Sequence, residues 1–73
     1  MTIYKNLSGD SGVVAYEVYD DSIDVQFKGT GNYGYKVADC GRFTIDQMKS
    51  LAQTGRGLQT FINKNKPKFY KKG

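Results

Sequence analysis

The residues of this chain best equipped for chemistry crowd its last ten positions. Lys64, Lys66, Lys68, Lys71 and Lys72 alternate there with Phe69 and Tyr70. Clustered ammonium groups displace counterions when they meet phosphates, and aromatic rings stack on unpaired bases. Arg56, between Gly55 and Gly57, adds a cation upstream. The candidate nucleic-acid-binding residues are therefore Arg56, Lys64, Lys66, Lys68, Tyr70, Lys71 and Lys72. A plainer account stands level with this one: a lysine-rich terminus keeps a small domain soluble, and Phe69 packs back on the body of the protein. The Gly55-Arg56-Gly57 turn is placed to hold an anion at a following helix, but a simple helix-helix connection explains the two glycines more economically.

Other chemistry is removed by absence. The chain has no His and a single Cys, Cys40. The usual zinc and transition-metal ligand sets cannot be assembled from it, nor can Ser-His or Cys-His nucleophile pairs. Asp20, Asp21 and Asp24 are the carboxylates nearest one another; turn formation and a solvated strand face account for them better than a metal site. No enzyme activity, cofactor or metal is expected.

The elements that would position the basic residues begin with a β-hairpin at Val13–Phe27. Ile23, Val25 and Phe27 alternate with Asp24, Gln26 and Lys28, the period of a strand with one dry face. The arm before it, Val13 to Tyr19, is apolar on both faces, so its register is open. Asp20-Asp21-Ser22 makes the turn. Gly29-Thr30-Gly31-Asn32 makes a second, leading into Tyr33-Gly34-Tyr35-Lys36-Val37, which alternates again. Tyr33 and Tyr35, with Tyr16 and Tyr19, can offer an aromatic sheet surface of the kind that stacks RNA bases. Half-buried core is the favoured role for them, and no RNP-type motif is present.

A helix follows. Thr44 and Gln47 have capping-box spacing, Phe43 and Met48 stand at staple positions, and Asp46 suits the first turn. Ile45, Met48, Leu51 and Ala52 recur on one face, and Gly55 ends the helix in the left-handed region. Leu58, Phe61 and Ile62 mark a second stripe that Pro67 stops.

The expected fold is α+β: a three-stranded antiparallel β-meander followed by two short α-helices packed on one face. It is one domain, with an N-terminal arm over 1–12 that adds an edge strand or packs loosely, a meander over 13–37, a helical pair over 44–66 and a basic tail over 67–73. Its core should hold Ile23, Val25, Phe27, Val37, Ile45, Met48, Leu51, Leu58, Phe61 and Ile62. Seventy-three residues allow only a thin core. No apolar run is long enough for a membrane span and the first residues lack the block of a secretory signal. With one unpaired Cys, this predicts a cytoplasmic protein. The net charge of +4 hides a division. Residues 1–40 carry three lysines against six carboxylates, and residues 41–73 carry eight cations against Asp46 alone.

Tyr19-Asp20, then Ile23-x-Val25-x-Phe27-x-Gly29, then Tyr33-x-Tyr35, a helix, a Gly-rich turn into Phe61-Ile62-Asn63 and a basic stretch ending at Phe69-Tyr70 together resemble the KTSC domain. That small domain occurs at the C-terminus of some lysyl-tRNA synthetases and as a stand-alone protein. The resemblance covers residues 13 to 70 and implies a meander followed by helices; it transfers no catalytic residue, and its link to a synthetase fits RNA contact. Two partners compete: RNA or single-stranded DNA on the basic C-terminal half, or a protein that pairs with a sheet edge or the acidic sheet face.

Overall fold

Five antiparallel strands and three helices make up the computed structural model, which describes residues 1–9 and 11–72. Asp10, in the turn-rich break before the hairpin, and Gly73, the end of the basic tail, lie outside the described residues. The strands are β1 (Thr2–Ile3), β2 (Val13–Tyr19), β3 (Ser22–Phe27), β4 (Gly31–Lys36) and β5 (Tyr70–Lys71). The helices are α1 (Val37–Cys40), α2 (Arg42–Thr54) and α3 (Leu58–Asn65). Sheet order is β1-β2-β3-β4-β5. The meander expected from alternation is the centre of the sheet, and the arm and the tail each supply one edge. Among the described residues no helix is long and apolar enough to cross a membrane.

A β-bulge settles the open register of β2. Val13 pairs with Phe27, Ala15 pairs with Gln26, and Val14 between them is the extra residue. The pleat therefore changes phase. Val13 and Tyr16, an odd and an even position, are both buried in the same core cluster. Without the bulge, one of the two would face away from the helices.

The core matches the periodicity closely. All ten expected residues are buried or pack against the buried cluster, and Ile23, Val25, Ile45, Met48 and Leu58 lie at its centre. Tyr4, Val13, Tyr16, Tyr35 and Ala52 join them. Tyr4 is a tertiary recruit: its N–H donates to the Val14 carbonyl, and its hydroxyl accepts the Leu58 N–H at 3.3 Å. The start of α3, which has no cap from its own neighbourhood, thus receives one from the N-terminal arm. The Leu7 N–H donates to the Gly55 carbonyl at 2.7 Å, so the arm is tied down at both ends.

The start of the long helix differs from the expected one. It begins at Arg42, with Gly41 at the N-cap and no side-chain cap. Thr44 and Gln47 form no capping box, because both already lie inside the helix. Phe43 is 76% exposed and staples nothing. The reason is tertiary. The Arg42 guanidinium donates to the Asp20 carbonyl at 2.9 Å and to Asp21 Oδ1 at 2.7 Å, and Lys49 donates to the same Asp20 carbonyl. Those contacts anchor the chain to the β2–β3 turn two residues ahead of the local cap signal. The other end behaves as expected: Gly55 takes φ 86°, and its N–H bonds to the Leu51 carbonyl. Helix α3 ends at Lys66 in the left-handed region, φ 48°, with Pro67 next.

Candidate nucleic-acid interface

Helix α3, the two-residue strand β5 and the far ends of β3 and β4 frame an open groove of about 400 Å³. Phe27, Tyr33, Tyr35 and Phe69 line its floor and wall, and Ile62 and Pro67 close the helix side. Gln59, Asn63, Thr30 and Lys66 supply its polar groups. The rings contact one another: Phe27 and Tyr33 meet edge-on with centroids 5.2 Å apart. Phe69 lies at 4.7 Å from Tyr33 and 6.1 Å from Tyr35. Gln59 and Asn63, one helical turn apart, are joined through the Gln59 amide N–H at 3.3 Å, while Gln59 Oε1 accepts the Gly12 N–H. The amide nitrogen of Asn63 makes no hydrogen bond among the described residues.

Strand alternation explains how the tail builds this site. Gly34 pairs with Tyr70 and Tyr33 with Lys71, so Phe69 and Lys71 point to the helix-covered face and Tyr70 and Lys72 to the opposite one. Tyr70 lies flat over Gly34, where any Cβ would clash with its ring. Lys36 Nζ sits 4.6 Å from the centre of that ring and Lys72 Nζ 5.9 Å. Lys72 also reaches across β4 to Asp24, at 2.6 Å from Oδ2. The hydrogen bond to Asp24 pushes the Lys72 ammonium above its ordinary value. Asp24 itself is only 4% exposed, and its Oδ1 has no hydrogen-bond partner.

The sequence-predicted residues thus separate into three groups. Lys64, Lys66 and Lys68 gather where α3 gives way to β5; all three side chains are exposed and make no ion pair among the described residues. Tyr70 and Lys72 are engaged on the other face of the sheet, and Lys71 is exposed on the groove side of β5. Arg56 stands apart in the α2–α3 turn, about 12 Å of helix rise from Lys64. Within the tail, Tyr70 and Lys71 form the fifth strand, while the lysine side chains of the tail remain exposed. Its Lys72 pairs with the acidic sheet, as Arg42 pairs with Asp21, so the acidic and basic halves of the sequence interlock in space. The sheet face expected to be acidic has its central carboxylate neutralised.

Phe27, Gln59 and Asn63 complete the groove and carried no signal as site residues in the sequence, whereas Tyr33 and Phe69 stood there as stacking aromatics with core packing as the alternative. Tyr16 and Tyr35 are core, as favoured, whereas Tyr19 pairs with Ser22 and faces away from them. Burial pushes the Tyr35 phenol up to about 12, with Tyr33 and Cys40 adding to it. Burial likewise raises the Cys40 thiol, helped by the Asp39 carboxylate. Its Sγ donates to the Lys68 carbonyl at 3.1 Å. Among the described residues no group of His, Cys, Asp or Glu is arranged to hold a metal ion.

No family model, curated protein or solved structure matches the chain.

Proposed function

We propose that the protein is a non-catalytic binding domain for RNA or single-stranded DNA, with its site at the groove between α3 and β5. The observation that carries this reading is the meeting of an aromatic slot with unpaired lysines. Phe27, Tyr33 and Phe69 form an apolar seat about the size of a nucleobase, Lys66 lines its edge, and Lys64 and Lys68, two residues to either side of Lys66 in the chain, are exposed. A base leaving its stack gains ring contacts in such a seat. The Asn63 amide and the Thr30 hydroxyl can meet its polar edge, and the lysines can follow the backbone without reading sequence. Duplex offers no unstacked base, so single strands are the preferred ligand. Fluorescence anisotropy with labelled ten-nucleotide RNA, DNA and duplex, over a range of salt, tests the reading. Single strands should bind best and lose affinity steeply with salt. A flat salt response, or equal affinity for duplex, would sink it.

A protein partner is the competing reading, and a separate observation favours it. Met1, Ile3 and Leu7 are exposed on or beside β1, Ile3 at 71%, and β1 is an unprotected sheet edge to which a partner's strand can add. Partners that co-purify after nuclease treatment, and are lost when Ile3 is replaced by Asp, would establish it.

A further inference from the structure

We propose that Asp24, on the sheet face turned away from the helices, is a positioning residue for the groove: its ion pair with Lys72 holds β5 in register and so holds Phe69 in the groove wall. The inference rests on the groove being the binding site. β5 has only two ladder residues, and its remaining ties are few. The Lys72 N–H donates to the Asn32 carbonyl at 2.7 Å, Cys40 Sγ reaches the Lys68 carbonyl, and Tyr70 covers Gly34. Phe69 and Tyr70 both remain substantially exposed, so apolar burial alone holds this strand lightly. Among the tail residues described, only Lys72 makes an ion pair, and it spans two strand spacings to do so.

The pair is also one-sided. Asp24 is only 4% exposed on the face where Tyr70 and Lys72 pack, so release of β5 gives up the charge-assisted hydrogen bond between Lys72 and Asp24 Oδ2. Release of β5 is therefore opposed by Asp24, and release would carry Phe69 and Pro67 out of the groove. Because alternate residues of one strand face opposite ways, a carboxylate that never touches the groove decides whether its wall stands.

Two opposite predictions separate this role from simple electrostatics. Replacing Asp24 with Asn removes a negative charge and frees Lys72, which on charge alone should strengthen binding to nucleic acid. The positioning role demands that it weaken, on the order of tenfold, the scale of a lost charge-assisted contact. The tail can be watched without any ligand, because Cys40 lies under Lys68. Its reaction with a thiol reagent such as Ellman's should quicken in Asp24→Asn and reach an upper limit when residues 68–73 are deleted. The reversed pair, Asp24→Lys with Lys72→Asp, should return thiol reactivity and affinity toward the parent.

Anisotropy with a labelled ten-nucleotide RNA and the thiol rates would be measured on the same four proteins, with the Tyr33 ring-proton shifts as a record of Phe69 docking. Unchanged thiol rates in Asp24→Asn, or quickened rates with undiminished affinity, would overturn the proposal. Quickened rates and shifted Tyr33 protons, in a set where even the parent binds no RNA, would uphold the positioning role and remove the nucleic-acid reading.

Discussion

The two faces of this sheet are held by different physics. On the covered face, Ile23, Val25 and Tyr35 meet Ile45, Met48 and Leu58, all essentially excluded from solvent. That contact is apolar, proportional to area and not weakened by charge screening. On the open face the same sheet is closed by a ring over a glycine, by lysines beside that ring and by one ion pair to a buried carboxylate. The first arrangement makes the domain stable. The second places a short strand, and with it one wall of the groove. Stability and site geometry are thus separable here, residue by residue.

The sharpest break is at the covered face. Met48→Ala should destabilise by about 2–5 kcal/mol, a large part of what a small domain has. Leu51→Ala, from a half-buried position, should lose less. Denaturant titration checks both, and equal midpoints for Met48→Ala and the parent would contradict the placement. Next comes Gly34→Ala, whose methyl would drive Tyr70 off β4. A loss of about 1–3 kcal/mol is expected from the overpacking, or less if the tail swings away whole. Faster Cys40 labelling distinguishes that second route.

Alkaline pH should act on the covered face as well. Tyr35 ionises near 12 in the folded protein against 10.0 for an ordinary phenol, so the folded state binds the proton more tightly between those values. Its contribution is complete below pH 10 and is lost as pH rises toward 12. Thermal melts from pH 8 upward should show the midpoint falling across that window, less so in Tyr35→Phe. At the site, Lys64→Ala and Lys68→Ala should each reduce the slope of log affinity against log salt by about 0.7 on single strands. Arg56→Ala, at the far end of α3, should leave it unchanged. The smallest effect belongs to Phe43→Ser, expected within about 0.5 kcal/mol of the parent. A larger loss would restore the hydrophobic staple that the helix start excludes.

Periodicity made the covered face legible. Alternation at Ile23, Val25 and Phe27 and helical spacing at Ile45, Met48 and Leu51 are local facts, and burial of an apolar stripe follows from them wherever the chain folds. The left-handed end at Gly55 was legible for the same reason, because glycine's freedom belongs to the residue itself. The helix start was not legible. The local cap at Thr44 is a correct signal that lost to Arg42 and Lys49 gripping Asp20 and Asp21, contacts that join residues more than twenty positions apart.

The site shows the same division more strongly. By itself the sequence determined that the C-terminal half is basic, that the chain holds no histidine and a single cysteine, and that three strands would form a meander. Only the tertiary structure decided that residues 70–71 are a fifth strand. It alone set Phe69 against Tyr33, Tyr70 over Gly34 and Lys72 on Asp24, put Lys66 at the groove edge, and left Lys64, Lys66 and Lys68 without an ion pair among the described residues. The physical reason is sequence distance. A two-residue strand has too little pattern of its own to announce itself; it exists because β4 offers an open edge and Asp24, 48 positions from Lys72, offers a charge.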